Sequence, residues 1–273
     1  MRIIDTHVHV FPDRIAHAAV AATGEFYANA HNDQLTAPED LTHGLGNAED
    51  LLARMSRAGI GRAVIFSTAT TPHQVESINS FIAGLCREHG EFIGLGTMHI
   101  DYPDFAGEVR RMKKLGLRGL KLHPDIQRFY LDDDRLLPLY DSLRSEHMYL
   151  ISHTGDYRYD YSSPARLARL AKLFPDMRFV GAHFGGWSQW REARECLQLP
   201  NVYVDTSSTI SFGGRDAAIE GLRTFDPTHI FFGTDYPMWD PKEELDRFLA
   251  LDLPEDLLRM VLSENYERFL EEL

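Results

Sequence analysis

Histidine, lysine and aspartate recur in this sequence where short apolar runs end. The first run carries two histidines in Asp5-Thr6-His7-Val8-His9. In a strand, residues i and i+2 face the same side, so the two imidazoles point together. Two neutral imidazoles so placed can share a borderline divalent ion such as zinc. Taken alone, the pair is a weak signal and reads more readily as two polar residues closing a strand. Other run ends add weight: His153 follows Leu150-Ile151-Ser152, His183 follows Val180-Gly181-Ala182, and Asp235 follows Phe231-Phe232-Gly233-Thr234. Lys121 and His123, again two apart, close Gly119-Leu120-Lys121-Leu122-His123. Such a set does chemistry only if the run ends meet on one rim.

The elements that would bring them there alternate. Strand-like runs span 2–9, 61–67, 92–100, 117–122, 148–153, 178–183, 201–206 and 229–234, mostly apolar, as strands covered on both faces tend to be. Helical patterns lie between them at 48–58, 73–88, 105–115, 134–146, 163–174, 187–197, 216–225 and 242–249. This alternation predicts a parallel sheet closed into a (β/α)8 TIM barrel, with strand C-termini forming the catalytic rim. An open doubly wound sheet would place a glycine-rich phosphate turn after the first strand, and this chain has His-Val-His-Val-Phe-Pro there. Residues 11–47 form one long irregular connection, expected to lie over the barrel mouth and shape the substrate site. Two further helical stretches, 254–262 and 264–270, follow the barrel. No linker interrupts the pattern, so residues 1–273 read as one domain.

Composition narrows the partners. Lys and Arg number 28 against 41 Asp and Glu, a formal net charge of −13, which argues against nucleic acid and anionic membrane surfaces. Hydrophobic residues make up 44% and charged residues 25%, the balance of an ordinary globular protein. Cys86 and Cys196 lack metal-knuckle spacing and read as reduced thiols. The N-terminal run is too short and too polar for a signal peptide, and no run reaches the roughly 20 apolar residues of a membrane span. A cytoplasmic enzyme with a small-molecule substrate is the expectation.

The motifs Asp5-Thr6-His7-Val8-His9, Gly119-Leu120-Lys121-Leu122-His123-Pro124, His153-Thr154-Gly155, Ala182-His183-Phe184-Gly185-Gly186 and Gly233-Thr234-Asp235-Tyr236-Pro237 occur in that order. As a set they resemble the amidohydrolase superfamily, in the branch that includes aminocarboxymuconate-semialdehyde decarboxylase and many uncharacterised TIM-barrel hydrolases. The resemblance implies one divalent ion on His7, His9, His153 and Asp235. Zinc is the first choice, and manganese, iron or nickel suit the same donors. It implies Asp235 as proton acceptor and His183 as a hydrogen-bonding partner of the reacting water or a developing oxyanion. In binuclear members a strand-four lysine is carboxylated and bridges two ions. The branch favours a single ion, with Lys121 and His123 contacting a carboxylate-bearing substrate. Trp187, Tyr236 and Trp239 follow rim positions and are expected to line the pocket. Asp5 is placed to orient a ligand histidine, while Asp205 could be rim, support or substrate contact. The expected reaction is metal-dependent hydrolysis of an amide, lactone or ester. The alternative is non-oxidative decarboxylation of an aromatic or muconate-like acid. A homodimer is expected by the same resemblance.

Overall fold

A computed structural model describes residues 2–273. Eight parallel strands run β1 (Ile4–His9), β2 (Arg62–Phe66), β3 (Phe92–Gly94, resuming at Gly96–Thr97), β4 (Gly119–Leu122), β5 (Tyr149–Ser152), β6 (Phe179–Gly181), β7 (Val202–Asp205) and β8 (Ile230–Phe231). Strand β3 is interrupted only at Leu95, whose N–H still reaches the Ile65 carbonyl at 3.0 Å. The sheet closes on itself. Thr6 N–H donates to the Phe232 carbonyl at 2.8 Å, Asp235 N–H to the His7 carbonyl at 2.9 Å, and His9 N–H to the Tyr236 carbonyl at 2.7 Å. The fold is the expected (β/α)8 barrel, and an open sheet is excluded by that seam.

Alternation along the strands divides the core in two. Val64, Phe66, Ile93, Leu95, Tyr149, Ile151, Val180, Tyr203 and Phe231 pack together inside the barrel, with Tyr266 and Phe269 of the last helix. Their sequence neighbours Ala63, Ile65, Leu120, Leu150 and Val204 pack outward against the helices. This period-two sorting is what a strand buried on both faces requires. The helices follow ordinary rules. Helix Ala48–Ala58 starts where the Asn47 side chain accepts from Asp50 N–H, buries Leu51, Met55 and Ala58 along one stripe, and stops at Gly59 in the left-handed region.

Three segments differ from the sequence expectation. The connection 11–47 contains a helix, Asp13–Tyr27, whose buried residues Ala16, Val20 and Tyr27 face the barrel. The helix expected at 187–197 begins at Trp190, because residues 183–187 make tight turns with His183 and Phe184 at φ of 60° and 50°. The helix expected from 216 begins at Thr209 and is kinked at Gly214, with φ of 76°. No helix among the described residues is long and apolar enough to cross a membrane.

Candidate metal centre

Inward parity carries Ile151 to His153, Tyr203 to Asp205 and Phe231, through Gly233, to Asp235. Lys121 points inward between the outward Leu120 and Leu122. In β1, Ile4 packs in the interior, so strict alternation would turn His7 outward; a register shift between Asp5 and Val8 corrects this. His183 has the wrong parity for the interior and is turned in by its positive φ of 60°. Asp235 sits at φ of 63°, another conformation that only a few percent of non-glycine residues adopt. Such strain tends to persist where the surrounding structure holds a functional group in place.

These groups meet in a cavity of about 90 Å³ lined by His7, His9, Lys121, His153, His183 and Asp235, with Tyr27, Thr68, His123, Ile126 and Met238 among the other wall residues. His7 Nε2 and His9 Nε2 each lie 3.5 Å from Asp235 Oδ1. His7 Nδ1 is 2.8 Å from Asp205 Oδ2, which keeps its proton on that side and leaves the Nε2 lone pair facing the cavity. Lys121 Nζ lies 3.0 Å from that same lone pair. A cluster that already draws an ammonium onto an imidazole lone pair fits a divalent cation. Among the described residues the side-chain groups able to hold one are His7 with His9 and Asp235, His7 with His183 and Asp205, and Asp125 with His153 and Asp156.

The structure thus brings together three of the four expected ligands. His153 sits one step round the rim, its Nδ1 3.1 Å from His183 Nε2. Its ring stacks on His123 at 4.1 Å. His153 Nε2 has no hydrogen-bond partner among the described residues, nor has Asp125 Oδ1 close by. His183 Nδ1 lies 3.0 Å from the Ser207 carbonyl, which fixes the proton there and leaves Nε2 as an acceptor.

Electrostatics suit ligation. Burial, reinforced by Lys121 and neighbouring imidazoles, pushes His9 well below its ordinary range. Burial also lowers His183 to about 4, so both are neutral and keep a lone pair. Burial lowers Lys121 to about 8. For Asp235, burial acts upward but is outweighed by His7, His183 and the Ser208 hydroxyl, which donates to it at 2.5 Å, so the carboxylate stays below its usual range. Asp5 is pushed up to about 7 by burial despite Thr234 and the His7 N–H; it braces the β8 end rather than a ligand ring.

Trp187, Tyr236 and Trp239 are placed behind the cavity wall. The Tyr236 hydroxyl binds Asp50 Oδ2 at 2.8 Å, and Trp239 Nε1 donates to Ser208 Oγ at 2.8 Å, bracing Asp235 from behind. Trp187 packs edge-on against Tyr27 at 4.9 Å. Arg158 is spent on both Asp156 oxygens and the Phe26 carbonyl. Asp205, undecided from sequence, supports His7 and His183 together. Sequence reasoning missed Tyr27, whose hydroxyl lies 2.6 Å from His123 Nε2; the only available signal was an aromatic at the end of an alanine-rich run.

The sequence model of the family described as Amidohydrolase matches residues 4–271. This chain belongs to the amidohydrolase family. No curated protein matches it by sequence. Among solved structures, 5-carboxyvanillate decarboxylase from Sphingomonas paucimobilis is 20% identical, with a TM-score of 0.75 over 99% of both chains. An uncharacterised TIM-barrel protein from Bordetella bronchiseptica is 22% identical, with a TM-score of 0.78 over 100% of this chain and 99% of that one. A 5-carboxyvanillate decarboxylase from Novosphingobium aromaticivorans, holding manganese and 3-methoxy-4-hydroxy-5-nitrobenzoic acid, is 16% identical, with a TM-score of 0.76 over 99% of this chain and 97% of that one. At these identities the likeness establishes the fold. It also corrects the expectation of hydrolysis: the solved structures of this fold that resemble the chain include the 5-carboxyvanillate decarboxylases and a 2,6-dihydroxybenzoate decarboxylase, which fit the alternative of non-oxidative decarboxylation better than hydrolysis of an amide, lactone or ester.

Proposed function

We propose that this chain is a metal-dependent, non-oxidative decarboxylase of a small aromatic or muconate-like acid. The observation that carries the reading is a buried, small cavity walled by Ile126, Met238 and Tyr27, with His7, His9 and Asp235 converging on it, in a fold shared with decarboxylases of 5-carboxyvanillate and 2,6-dihydroxybenzoate. We assign His7, His9, His153 and Asp235 to one divalent ion. Manganese is the first to test, because the Novosphingobium neighbour holds it, and the imidazole–carboxylate set suits zinc as well. When bound, the ion would withdraw charge from substrate oxygens and stabilise the negative charge that builds during the reaction.

The chain's own residues account for the rest. Lys121 is completely buried, and an ammonium there needs an anion, which the substrate carboxylate provides. Asp235 starts ionised, so it takes a proton from solvent water before it can give one, and the hydroxide left behind is neutralised by the bulk buffer, one proton being consumed per turnover. His183 Nε2 accepts a hydrogen bond from that water and orients it. As the bond from ring to carboxylate breaks, its electron pair stays on the ring carbon and captures the proton from Asp235. Carbon dioxide leaves, and one C–C bond has been exchanged for one C–H bond.

The test is direct. Manganese-loaded protein is mixed in D2O with a panel of hydroxybenzoates, 5-carboxyvanillate and muconate-type acids. The expected result is carbon dioxide release with one deuteron at the vacated carbon, abolished in Asp235→Asn. No release from any member of the panel would sink the proposal.

A further inference from the structure

The insert after β1 lines the cavity with Thr23 and with the phenol Tyr27, whose proton can be followed. Tyr27 closes the helix Asp13–Tyr27 and is 5% exposed, its ring wedged edge-on between Trp187 and Phe26, each at 4.9 Å. His123 caps the short helix Pro124–Gln127: its Nδ1 accepts from Ile126 N–H at 3.4 Å. A nitrogen that accepts carries no proton, so the proton of the neutral ring is on Nε2. Nε2–H therefore donates to the Tyr27 oxygen at 2.6 Å. The hydroxyl's own hydrogen cannot return along that bond. Its other neighbour, His153 Nδ1, is 3.5 Å away and faces the acceptor lone pair of His183 Nε2 at 3.1 Å, so it carries the proton and cannot accept from Tyr27. What remains is the cavity that Tyr27 lines together with Lys121 and His123.

We infer that Tyr27 binds the substrate, its O–H donating to a carboxylate or phenolate oxygen of the acid. The inference rests on the decarboxylase reading and deepens it. Recognition of the anion is divided between an ammonium on the barrel, Lys121, and a phenol on the insert whose direction is set by the tautomer of His123. A ligand that presents no oxygen acceptor to Tyr27 leaves that O–H facing an apolar surface and is rejected, because a buried unmade hydrogen bond is unfavourable. A bound acid also pins the end of the insert helix to the rim.

The experiment is calorimetric titration of manganese-loaded wild type and Tyr27→Phe with benzoate, 2-hydroxybenzoate, 2,6-dihydroxybenzoate and 5-carboxyvanillate. Phenylalanine keeps the ring that packs on Trp187, and a melting curve checks that the fold is retained. The expected result is a roughly ten- to hundredfold weaker Kd for the acid that wild type binds best, the usual range for a lost hydrogen bond to a charged group. KM should rise in step, with little change in melting temperature. Equal affinity in the two proteins overturns the inference, and continued release of carbon dioxide would then leave the decarboxylase reading standing. Failure of wild type to bind any of the acids overturns both.

Discussion

Replacing Asp205 by asparagine should damage the metal centre without touching a ligand. Asp205 accepts from His183 N–H at 3.0 Å, Ser207 N–H at 3.1 Å and the Ser207 hydroxyl on Oδ1, and faces His7 Nδ1 at 2.8 Å with Oδ2. Burial acts to raise this carboxyl, but His7, His183 and Ser207 outweigh it and hold it ionised. In the asparagine variant the three donors on one side select the carbonyl oxygen, so the amide NH2 must face His7 Nδ1. Two donors cannot meet there. His7 then shifts its proton to Nε2, which removes the lone pair that points at His9 and Asp235. Loss of such a support typically lowers metal affinity by about 10- to 100-fold, or about 1.4–2.7 kcal/mol. The upper end applies here, because the tautomer is reversed and not merely released. The assay is manganese and zinc affinity by competition with a chromogenic chelator, alongside a melting curve. Affinity within about twofold of wild type, in a folded variant, would refute the reasoning.

Lys121→Ala should keep its metal content while KM for the acid rises roughly tenfold or more, as expected when a charged hydrogen bond is lost; elemental analysis that found less metal would instead make Lys121 part of the ion site. Gly155→Ala should destabilise the fold, since Gly155 has φ of +88° and a Cβ would lie 2.6 Å from Gly186 Cα. Left-handed backbone alone costs about 1–2 kcal/mol and the overlap adds to it, so the urea midpoint should fall clearly. Burial pushes the thiols of Cys86 and Cys196 up to about 11, against an ordinary value of 9. Iodoacetamide at pH 8 should therefore label both about a hundredfold more slowly than a free thiol. With the folded value raised, their contribution to stability is fully present below pH 9 and is lost as pH rises towards 11. A pH series of denaturant midpoints with and without cysteine-to-alanine replacement checks the sign.

The barrel was legible because its strands are short apolar runs ending in residues that no core would choose. Where such a run is followed by a turn and then by an amphipathic stretch, its place as a barrel strand follows. His7, His9 and Asp235 stood out as polar residues closing such runs, and the structure gathers them around one cavity. What sequence periodicity could not supply was the backbone's departures from it. The register shift in β1 and the left-handed His183 and Asp235 decide where those side chains point, and neither is an alternation signal. Trp187, Tyr236 and Trp239 were read as pocket lining from their closeness to rim residues. A residue directly after an inward one faces the other way, and Tyr236 accordingly turns to Asp50 and the Gly46 N–H. The helix Asp13–Tyr27 hid in an alanine-rich stretch whose buried residues, Tyr27 apart, are small. Tyr27 acquires its role only from the contact with His123, which no local pattern encodes.

The seam that closes the barrel also joins the two ends of the ligand set. Asp235 N–H is bonded to the His7 carbonyl, so an early and a late segment of the chain become backbone neighbours. A ribosome-bound chain that has exposed only His7 and His9 owns half a site, and a half-site holds an ion weakly. High-affinity uptake must therefore wait until the last strand has docked, which makes a captured ion a mark of a completed molecule. The same coupling runs in reverse: any opening that parts β1 from β8 separates His7 and His9 from Asp235 and should release an ion they hold together.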